Sequence, residues 1–440
     1  MATRSKSSIR LDINQLPEMK SKPIDKDKLG GRRYCFGQWD FCLCILLLIG
    51  VATAVSISLG VILSLNKNND MGPSTTALTS VTTTALTSVT TTAMTSVTTT
   101  AMTSVTTTAM TSITTTIDAC SFRWNLTGIT VAGRTGINGV LSDQLNSPYG
   151  IFIDLNNDLY VADYNNHRIQ KWLNGASTGT TIAGLTNGTS GLTSNQLYYP
   201  SAIYVDRKNQ NLYIDDSGNH RVQLWNNSAT SGTTVAGITG NGGNGSNQVG
   251  SWLLFVIITY NVPSFIYGIW VDSNENIYVT DRDNHRVMKW TSGNISSGTI
   301  VVDQRNGQLN MTYGIYLDEV NNSVYISDFG TNIIMKLVLG ASNGTIIAGI
   351  SGTSGSNSTL MNGPSSITLD QYGNLYVADS QNHRVQMFCP NSLSGITIVG
   401  GSSGLGSTQL HSPLGLALDS NLNLYVSDSK NHRIQKFMKL

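Results

Sequence analysis

The segment LYVADYNNHRIQKW at residues 159–172 decides how this chain folds. LYVAD and HRIQKW each alternate apolar and polar side chains, which is the period of two expected of a half-buried β-strand. The Asn-rich residues between the two pieces are typical of a tight turn. The segment is therefore predicted to form two antiparallel strands joined by a short turn.

Five further copies of this segment follow it along the chain, at 212–225, 277–290, 324–337, 375–388 and 424–437. Each copy is preceded by a mostly apolar piece ending in Asp, and these residues are Asp154, Asp206, Asp272, Asp318, Asp370 and Asp419. The piece GTTIAG at 179–184 supplies a fourth strand of the unit. A repeat of about fifty residues indicates a propeller or a solenoid. Four short strands per unit favour an all-β, six-bladed β-propeller, with a β-solenoid as the alternative fold.

The composition agrees with an all-β chain and excludes several other classes. Charged residues make up 12% of the 440 residues, the net charge is +1, and there are 43 Gly. A long coiled coil needs many more charged residues, whereas a wholly disordered chain has fewer apolar ones. Many Gly, Asn, Ser and β-branched residues are typical of short strands joined by tight turns.

The two ends of the repeat region predict how the ring closes. The chain ends at HRIQKFMKL, three strands into its last unit, and GITVAG at 128–133 resembles only a fourth strand. The N-terminal strand should therefore complete the C-terminal blade, which removes the free edges that an open sheet leaves exposed.

The turn of the repeated unit resembles the NHL repeat, because five copies have Asn-His-Arg at the same spacing after an Asp. The resemblance covers about residues 124–440, and the fourth copy departs from it with Thr331, Asn332 and Ile333. We interpret the recurring polar residues as structural, with each Asp accepting backbone N–H bonds in its turn, each Arg nearby, and each triplet serving its own blade. These residues are Asp163, His167, Arg168, Asp216, His220, Arg221, Asp281, His285, Arg286, Asp379, His383, Arg384, Asp428, His432 and Arg433.

Metal binding and catalysis are not predicted. One His per blade places these side chains around a wide ring, whereas a zinc ion needs several ligands within about 2.3 Å. The resemblance also raises zinc-dependent amidating lyases, which use other His ligands at the channel, but His411 is the one His outside the triplets. We therefore assign no catalytic residue, no metal and no cofactor.

The resemblance to the propellers of tripartite-motif proteins implies RNA as an alternative partner. RNA binding requires a basic face, yet residues 71–440 carry 17 basic and 20 acidic side chains. The five Cys form no Cys-x-x-Cys pair, so no RING module is expected. Nucleic acid is thus an unfavoured partner.

Residues 41–65 are predicted to be a transmembrane signal-anchor helix. The 25 residues lack charge, and as a helix they would measure about 37 Å, enough to cross a bilayer. A cleaved signal peptide is the alternative, but its apolar core would be shorter and nearer the start. Nine Lys and Arg precede the segment, so the positive-inside rule places residues 1–40 in the cytosol as a disordered tail. The expected topology is single-pass type II at the plasma membrane, with an extracellular propeller.

Residues 66–117 are predicted to form a stalk. Five consecutive octads fill 77–116, where 25 of 40 positions are Ser or Thr and none is charged. Such a tract either carries O-glycans and stays extended or aggregates as β-structure, and a membrane-tethered location favours the glycosylated stalk. The propeller is expected to occupy 118–440.

The variable connections between units are the expected ligand-binding face, and one of them is unusually long. Consecutive motif Asp residues are 53, 65, 47, 51 and 49 apart, which locates about a dozen extra residues in GSWLLFVIITYNVPSF at 250–265. This apolar run is a partner-binding patch, an additional strand on the propeller, or an error in the gene model. The first alternative makes Trp252, Phe255 and Tyr260 candidate binding residues.

Glycosylation sequons support the extracellular assignment, although an Asn-rich chain also forms them by chance. They lie at Asn125, Asn187, Asn226, Asn244, Asn294, Asn310, Asn321, Asn343 and Asn357, all beyond the predicted span. Cys120 and Cys389 could pair there, or remain free or intermolecular. The functional hypothesis is an extracellular recognition or adhesion module whose ligand is a protein or a glycan.

Overall fold

The computed structural model describes residues 119–250, 266–304 and 309–440. The predicted tail, span and stalk lie outside these residues, as do the insertion residues Trp252, Phe255 and Tyr260. Within the described ranges, no helix is both long and apolar enough to cross a bilayer.

Six four-stranded antiparallel sheets make up the described part of the chain, as the repeat predicts. Strand β1 is Ile129–Gly133. Blade 1 contains β2 (Pro148–Ile153), β3 (Leu159–Asp163), β4 (Arg168–Trp172) and β5 (Thr180–Gly184). Blade 2 contains β6 (Pro200–Val205), β7 (Leu212–Asp216), β8 (Arg221–Trp225) and β9 (Thr233–Gly237). Blade 3 contains β10 (Ile266–Val271), β11 (Ile277–Asp281), β12 (Arg286–Trp290) and β13 (Thr299–Asp303).

The remaining blades repeat this order. Blade 4 contains β14 (Thr312–Asp318), β15 (Ser323–Asp328), β16 (Ile333–Val338) and β17 (Thr345–Gly349). Blade 5 contains β18 (Pro364–Leu369), β19 (Leu375–Asp379), β20 (Arg384–Phe388) and β21 (Ile396–Gly400). Blade 6 contains β22 (Pro413–Leu418), β23 (Leu424–Asp428) and β24 (Arg433–Phe437), followed in the sheet by β1. The architecture is the predicted all-β, six-bladed propeller.

Short 3₁₀ helices occupy the turn between the second and third strands in five blades. They are Tyr164–Asn166, Ser217–Asn219, Arg282–Asn284, Ser380–Asn382 and Ser429–Asn431, and another, Ala119–Ser121, precedes β1. We call the face that carries these five turns and the connections between blades the upper face. The opposite face, where the first strand of each blade ends, is the lower face.

The innermost strands approach one another closely, which explains their Gly residues. A Cβ on Gly150 would lie 2.7 Å from the carbonyl oxygen of Ser201 in the next blade. A Cβ on Gly268 would lie 2.4 Å from the carbonyl oxygen of Tyr313. Both distances are shorter than a side-chain carbon tolerates, so these positions require Gly where the blades converge.

The hydrophobic core lies between neighbouring blades rather than within any one of them. Ala162 and Ile169 of blade 1 pack in one cluster with Ile214 and Trp225 of blade 2. Each blade thus buries its faces against its two neighbours, and the ring is the cooperative unit.

The predicted closure is confirmed. Strand β1 pairs antiparallel with β24, with Ile129 opposite Lys436 and Gly133 opposite Arg433. The last sheet therefore joins both ends of the repeat region and leaves no gap in the ring.

Candidate functional site

The Asp of each NHL-like turn is engaged by partners that the fold itself supplies. In blade 1, Asp163 accepts the Nε–H of Arg168 at 2.8 Å and the backbone N–H of Asn146 at 2.7 Å. Arg168 also donates to the carbonyl oxygens of Val140 and Leu141 in the incoming connection. The pair is buried, with 2% of the Arg168 side chain and none of Asp163 exposed. The pair anchors the segment that enters the blade, and neither charge is accessible to a ligand.

The same ion pair recurs in all five blades that keep the motif. The Nε–Oδ2 distances are 2.8 Å for Arg221 and Asp216, 2.7 Å for Arg286 and Asp281, 2.8 Å for Arg384 and Asp379, and 2.8 Å for Arg433 and Asp428. In blade 4, where Ile333 replaces Arg, Asp328 accepts N–H bonds from Asn310, Gly330 and Thr331 instead. Burial raises the pKa of this Asp328 carboxyl to about 6, and these bonds offset part of the increase.

The His of the motif reaches the next blade, so its role is wider than the local one expected. The Nδ1 of His167 accepts the backbone N–H of Tyr199 at 3.0 Å. The same bond joins His285 to Met311, His383 to Ser412, and His432 to Ser147 at 3.1, 3.2 and 3.1 Å. In blade 4 the Oδ1 of Asn332 accepts the N–H of Gly363 at 2.9 Å. In five of the six blades a side-chain acceptor therefore connects the blade to its neighbour, and Asn can replace His.

Metal binding finds no site among the residues that the structure describes. No group of three or more His, Cys, Asp or Glu side chains there could hold an ion. His411, the one His outside the triplets, lies with its ring centroid 5.4 Å from that of His383.

A channel runs along the ring axis between the first strands of the blades. It holds a cavity of about 400 Å³ lined by the first strands of the blades. This volume falls within the range of small-molecule sites. Because the first strands align in register, each level of the channel can be compared position by position around the ring.

The upper mouth of the channel is crossed by tyrosines. The rings of Tyr267 and Tyr313 stack with centroids 4.1 Å apart, and Tyr149 lies 5.9 Å from Tyr267. The Tyr267 side chain hydrogen-bonds with those of Tyr149 and Tyr313. The guanidinium of Arg282 lies over the rings of Tyr267 and Tyr313, 5.0 and 5.3 Å from their centroids, where cation–π attraction holds it.

Asp215 is a buried acid beside the upper mouth in blade 2. Its carboxylate oxygens accept bonds from the hydroxyls of Ser201 and Ser217 at 2.8 and 3.1 Å. Burial raises its pKa to about 8; the two hydroxyls lower it, and nearby Asp216 and Asp281 raise it further. The carboxyl is therefore neutral near pH 7. The fold does not require an acid there, because blades 4 and 6 have Ser327 and Ser427 at this position.

Replacing Asp215 by Ser is expected to stabilise the propeller increasingly as pH rises. In the unfolded chain the carboxyl ionises near pH 3.8, whereas in the folded chain it keeps its proton up to about pH 8. Folding is thus progressively penalised across this window, by about 1.4 kcal/mol per pH unit, and the full penalty is present above pH 8. Melting temperatures of both proteins between about pH 5 and pH 9 measure the effect. A difference that does not change with pH would contradict the assigned burial of this acid.

The lower mouth of the channel has an arc of four aromatic side chains, which we call the lower arc. It consists of Phe152, Tyr204, Trp270 and Tyr316, one from each of blades 1 to 4, all half-buried. Successive centroids are 5.7, 5.5 and 4.6 Å apart, and the rings are inclined to each other by 64, 55 and 58°. Blades 5 and 6 place the smaller Thr368 and Ala417 at this level, so the cavity is wider on that side.

Arg207 lines the cavity next to the lower arc. Burial raises the pKa of Tyr204 to about 12, and the charge of Arg207 opposes this increase. The charge of Arg207 also lowers the pKa of Tyr316, two blades away. The equivalent positions in the other blades hold Leu155, Ser273, Glu319, Gln371 and Ser420, so the fold does not require Arg there.

The sequence-predicted glycosylation sites are all on the surface. Each of the nine sequon Asn side chains is exposed, including Asn125, Asn187 and Asn357. Cys120 and Cys389, whose pairing the sequence left open, form a disulfide with Cα atoms 5.8 Å apart. It joins the segment before β1 to the residue that follows β20.

Sequence reasoning missed the channel residues. Arg207, Asp215 and Arg282 are charged at positions where most of the other blades have an uncharged side chain. Aligning the six units and looking for charged outliers would have found all three, because a repeat position that tolerates Ser or Leu does not need a charge for folding.

Comparisons with known proteins agree with this architecture. A model of the NHL repeat matches residues 145–172, 361–388 and 410–437. NHL repeat-containing protein 2 of Bos taurus is 33% identical over 93 residues, which are 21% of this chain and 12% of that protein. Protein brain tumor of Drosophila melanogaster is 32% identical over 94 residues, 21% of this chain and 9% of that protein. The chain thus spans only a small part of these curated relatives.

A solved structure with a similar fold is an auxiliary nutrient binding protein from Bacteroides thetaiotaomicron. The TM-score is 0.53 at 14% identity, and the alignment covers 72% of this chain and 77% of that one. At this identity the similarity concerns the fold alone. The matched repeats, the recurrence of the Asp-Asn-His-Arg turn in five blades and the closed ring show that this chain contains NHL repeats arranged as a six-bladed β-propeller.

Proposed function

We propose that the chain is a non-catalytic recognition or adhesion module, held outside the cell on a Thr-rich stalk by a type II membrane anchor. The observation that carries the proposal is the surface position of all nine sequon Asn side chains. N-glycosylation requires accessible Asn side chains in the secretory pathway, and all nine sequons meet this requirement.

The disulfide supports the same compartment. Cys120 and Cys389 are 269 residues apart in sequence, yet their Cα atoms lie within the range that a disulfide spans. Structural disulfides persist in oxidising compartments and are rare in the cytosol. The pair also anchors the segment that connects the stalk to the ring.

The binding role is supported by side chains that folding does not explain. Every Asp of the repeated turns is neutralised or hydrogen-bonded within the fold, whereas Arg207 and the lower arc surround an open cavity. Propellers use such central cavities for ligands, and the similarly folded bacterial protein is named for binding nutrients. The non-catalytic assignment rests on the single His outside the repeated turns.

Treatment of the full-length protein from animal cells with N-glycosidase is expected to lower its apparent mass. Asn294→Gln should remove one increment of the shift. Asn391→Gln is the matched control, because Asn391 is exposed but lies in no sequon. Folded, membrane-bound protein that shows no shift would contradict the extracellular location, and RNA would then become the partner to test.

A further inference from the structure

The lower mouth of the channel has the chemistry of a specific ligand site. We propose that it binds a pyranose ring that carries a carboxylate, as in a uronic acid. This inference rests on the proposed function and assigns a ligand class to the binding module. It concerns the lower arc, Arg207, and the open side formed by Thr368 and Ala417.

The shape of the lower arc favours a puckered ring over a flat one. Neighbouring rings are inclined by 55 to 64°, so they form a concave wall and no parallel slot. A flat aromatic ligand stacks best on a parallel face, whereas a pyranose presents C–H groups on several sides and can touch several inclined rings at once. The small side chains of blades 5 and 6 leave the space that the ligand would fill.

Polar groups at the same level suit the hydroxyls of a sugar. Thr368, Tyr204 and Tyr316 all line the cavity and carry hydroxyls. Tyr204 is protonated at physiological pH, as a Tyr with the ordinary pKa of 10 already is, and burial raises its pKa further to about 12. Its hydroxyl can therefore both donate and accept. An apolar wall with a few hydroxyls opposite is the usual composition of a small-molecule pocket.

The charge at this mouth favours a carboxylate on the ligand. Arg207 has no ion-pair or side-chain hydrogen-bond partner within the described ranges. The acids that end the first strands are occupied by their own turns: Asp154, Asp206, Asp272, Asp318, Asp370 and Asp419 each accept a nearby backbone N–H. The charges of Asp206 and Glu319 raise the pKa of Tyr204, but neither residue lines the cavity. Among the described residues Arg207 is the one charged side chain that lines it, and its planar fork matches a carboxylate.

The test titrates the detergent-solubilised full-length chain with D-glucuronate, D-glucose, D-glucosamine, phenylacetate and a disaccharide ending in glucuronate. Saturation-transfer NMR reports which ligand protons contact the protein. Saturable binding of glucuronate, or of the disaccharide alone, together with weaker binding of glucose and phenylacetate, supports the proposal. Comparison of glucuronate with the glucuronate-ending disaccharide distinguishes binding of a free sugar acid from binding of the end of a glycan.

Two variants locate the site. Arg207→Gln is expected to weaken glucuronate binding about tenfold or more, because it removes a charge-assisted hydrogen bond. Lys208→Gln is the matched control, since Lys208 is the adjacent exposed cation and does not line the cavity. Thr368→Phe should also abolish binding by filling the open side. Neither Arg207 nor Lys208 contributes to the core, so both variants should fold.

Several outcomes would overturn the proposal. These are the absence of binding by either acidic sugar, a preference for glucosamine or phenylacetate, or equal effects of the Arg207 and Lys208 substitutions. The N-glycosidase shift does not depend on this mouth. A failure here with a retained shift would therefore reject the ligand class and leave the extracellular module standing.

Discussion

Removal of residues 119–133 is expected to abolish cooperative folding of the propeller. The deletion takes away β1, which is the outermost strand of blade 6 and the contact between the two ends of the ring. Without it, the hydrogen-bonding edge of β24 becomes exposed, and an unpaired edge promotes aggregation. We expect the truncated protein to lose its sharp thermal transition and to associate at concentrations where the intact chain stays monodisperse.

The deletion is expected to be this damaging because it also removes the buried side chain of Trp124, which precedes β1. The Trp124 side chain is 3% exposed and packs in one cluster with Phe437 and with Tyr376 of blade 5. Its Nε1–H donates to the carbonyl oxygen of Leu422 at 2.9 Å. Truncation of one buried aromatic side chain costs about 3–5 kcal/mol, a large fraction of the stability of a domain.

A point substitution in β1 distinguishes the effect of opening the ring from the effect of deleting fifteen residues. Gly133→Ala would place a Cβ 2.2 Å from the backbone carbonyl oxygen of His432, so β1 could not keep its register with β24. Gly175→Ala is the matched control, because both residues have φ near +79° but a Cβ at Gly175 meets nothing within 4 Å. The control should cost about 1 kcal/mol from backbone conformation alone. Gly133→Ala should cost several-fold more, and equal losses would show that β1 does not close the ring.

The sequence predicted the ring and its closure because both follow from local pattern. The alternation of apolar and polar residues predicts the strands, and the fifty-residue period predicts the blades. The unmatched strand at 128–133 can only complete the last blade, which lacks its fourth strand. The role of the His side chains was not predictable in the same way. His167 accepts the backbone N–H of Tyr199 in the next blade. Every residue except Pro has a backbone N–H, so the sequence does not show which one a side chain will bind.

The channel residues illustrate a second limit of prediction from sequence. Tyr204, Trp270 and Tyr316 look like ordinary apolar positions of a first strand, and only the register of the blades brings them to one mouth. Arg207 follows the strand in what reads as a polar turn. The expected binding face was the upper one because its connections vary in length, whereas the lower arc arises from side chains of regular strands.

Acidification is expected to weaken the propeller by disrupting the bonds between blades. The Nδ1 atoms of His167, His383 and His432 accept backbone N–H groups, which requires the neutral imidazole. Burial lowers the pKa of His167 to about 4 and lowers the pKa values of His383 and His432 as well. In the unfolded chain these groups titrate near 6.5, so the unfolded state binds protons more readily than the folded one. Stability is therefore complete above pH 6.5 and is lost as pH falls toward 4.

For His167 the loss between about pH 7.5 and pH 5 should be roughly 1 kcal/mol, after discounting the shift for the exposed part of the ring. Carboxylates elsewhere also titrate in this range, so the pH dependence of the wild-type protein alone does not identify the His residues. The comparison must be made with variants that differ in this acceptor alone.

Blade 4 provides the variants, because Asn332 already forms the same bond to Gly363 with φ at +62°. Asn adopts this left-handed conformation readily and has an amide oxygen that does not titrate. His167→Asn should therefore match the wild-type protein near pH 7.5 and retain more stability near pH 5, as melting temperatures would show. The reciprocal change, Asn332→His, should introduce an additional loss at the lower pH. Melting temperatures that fall in parallel for all three proteins would mean that protonation of these side chains does not separate the blades.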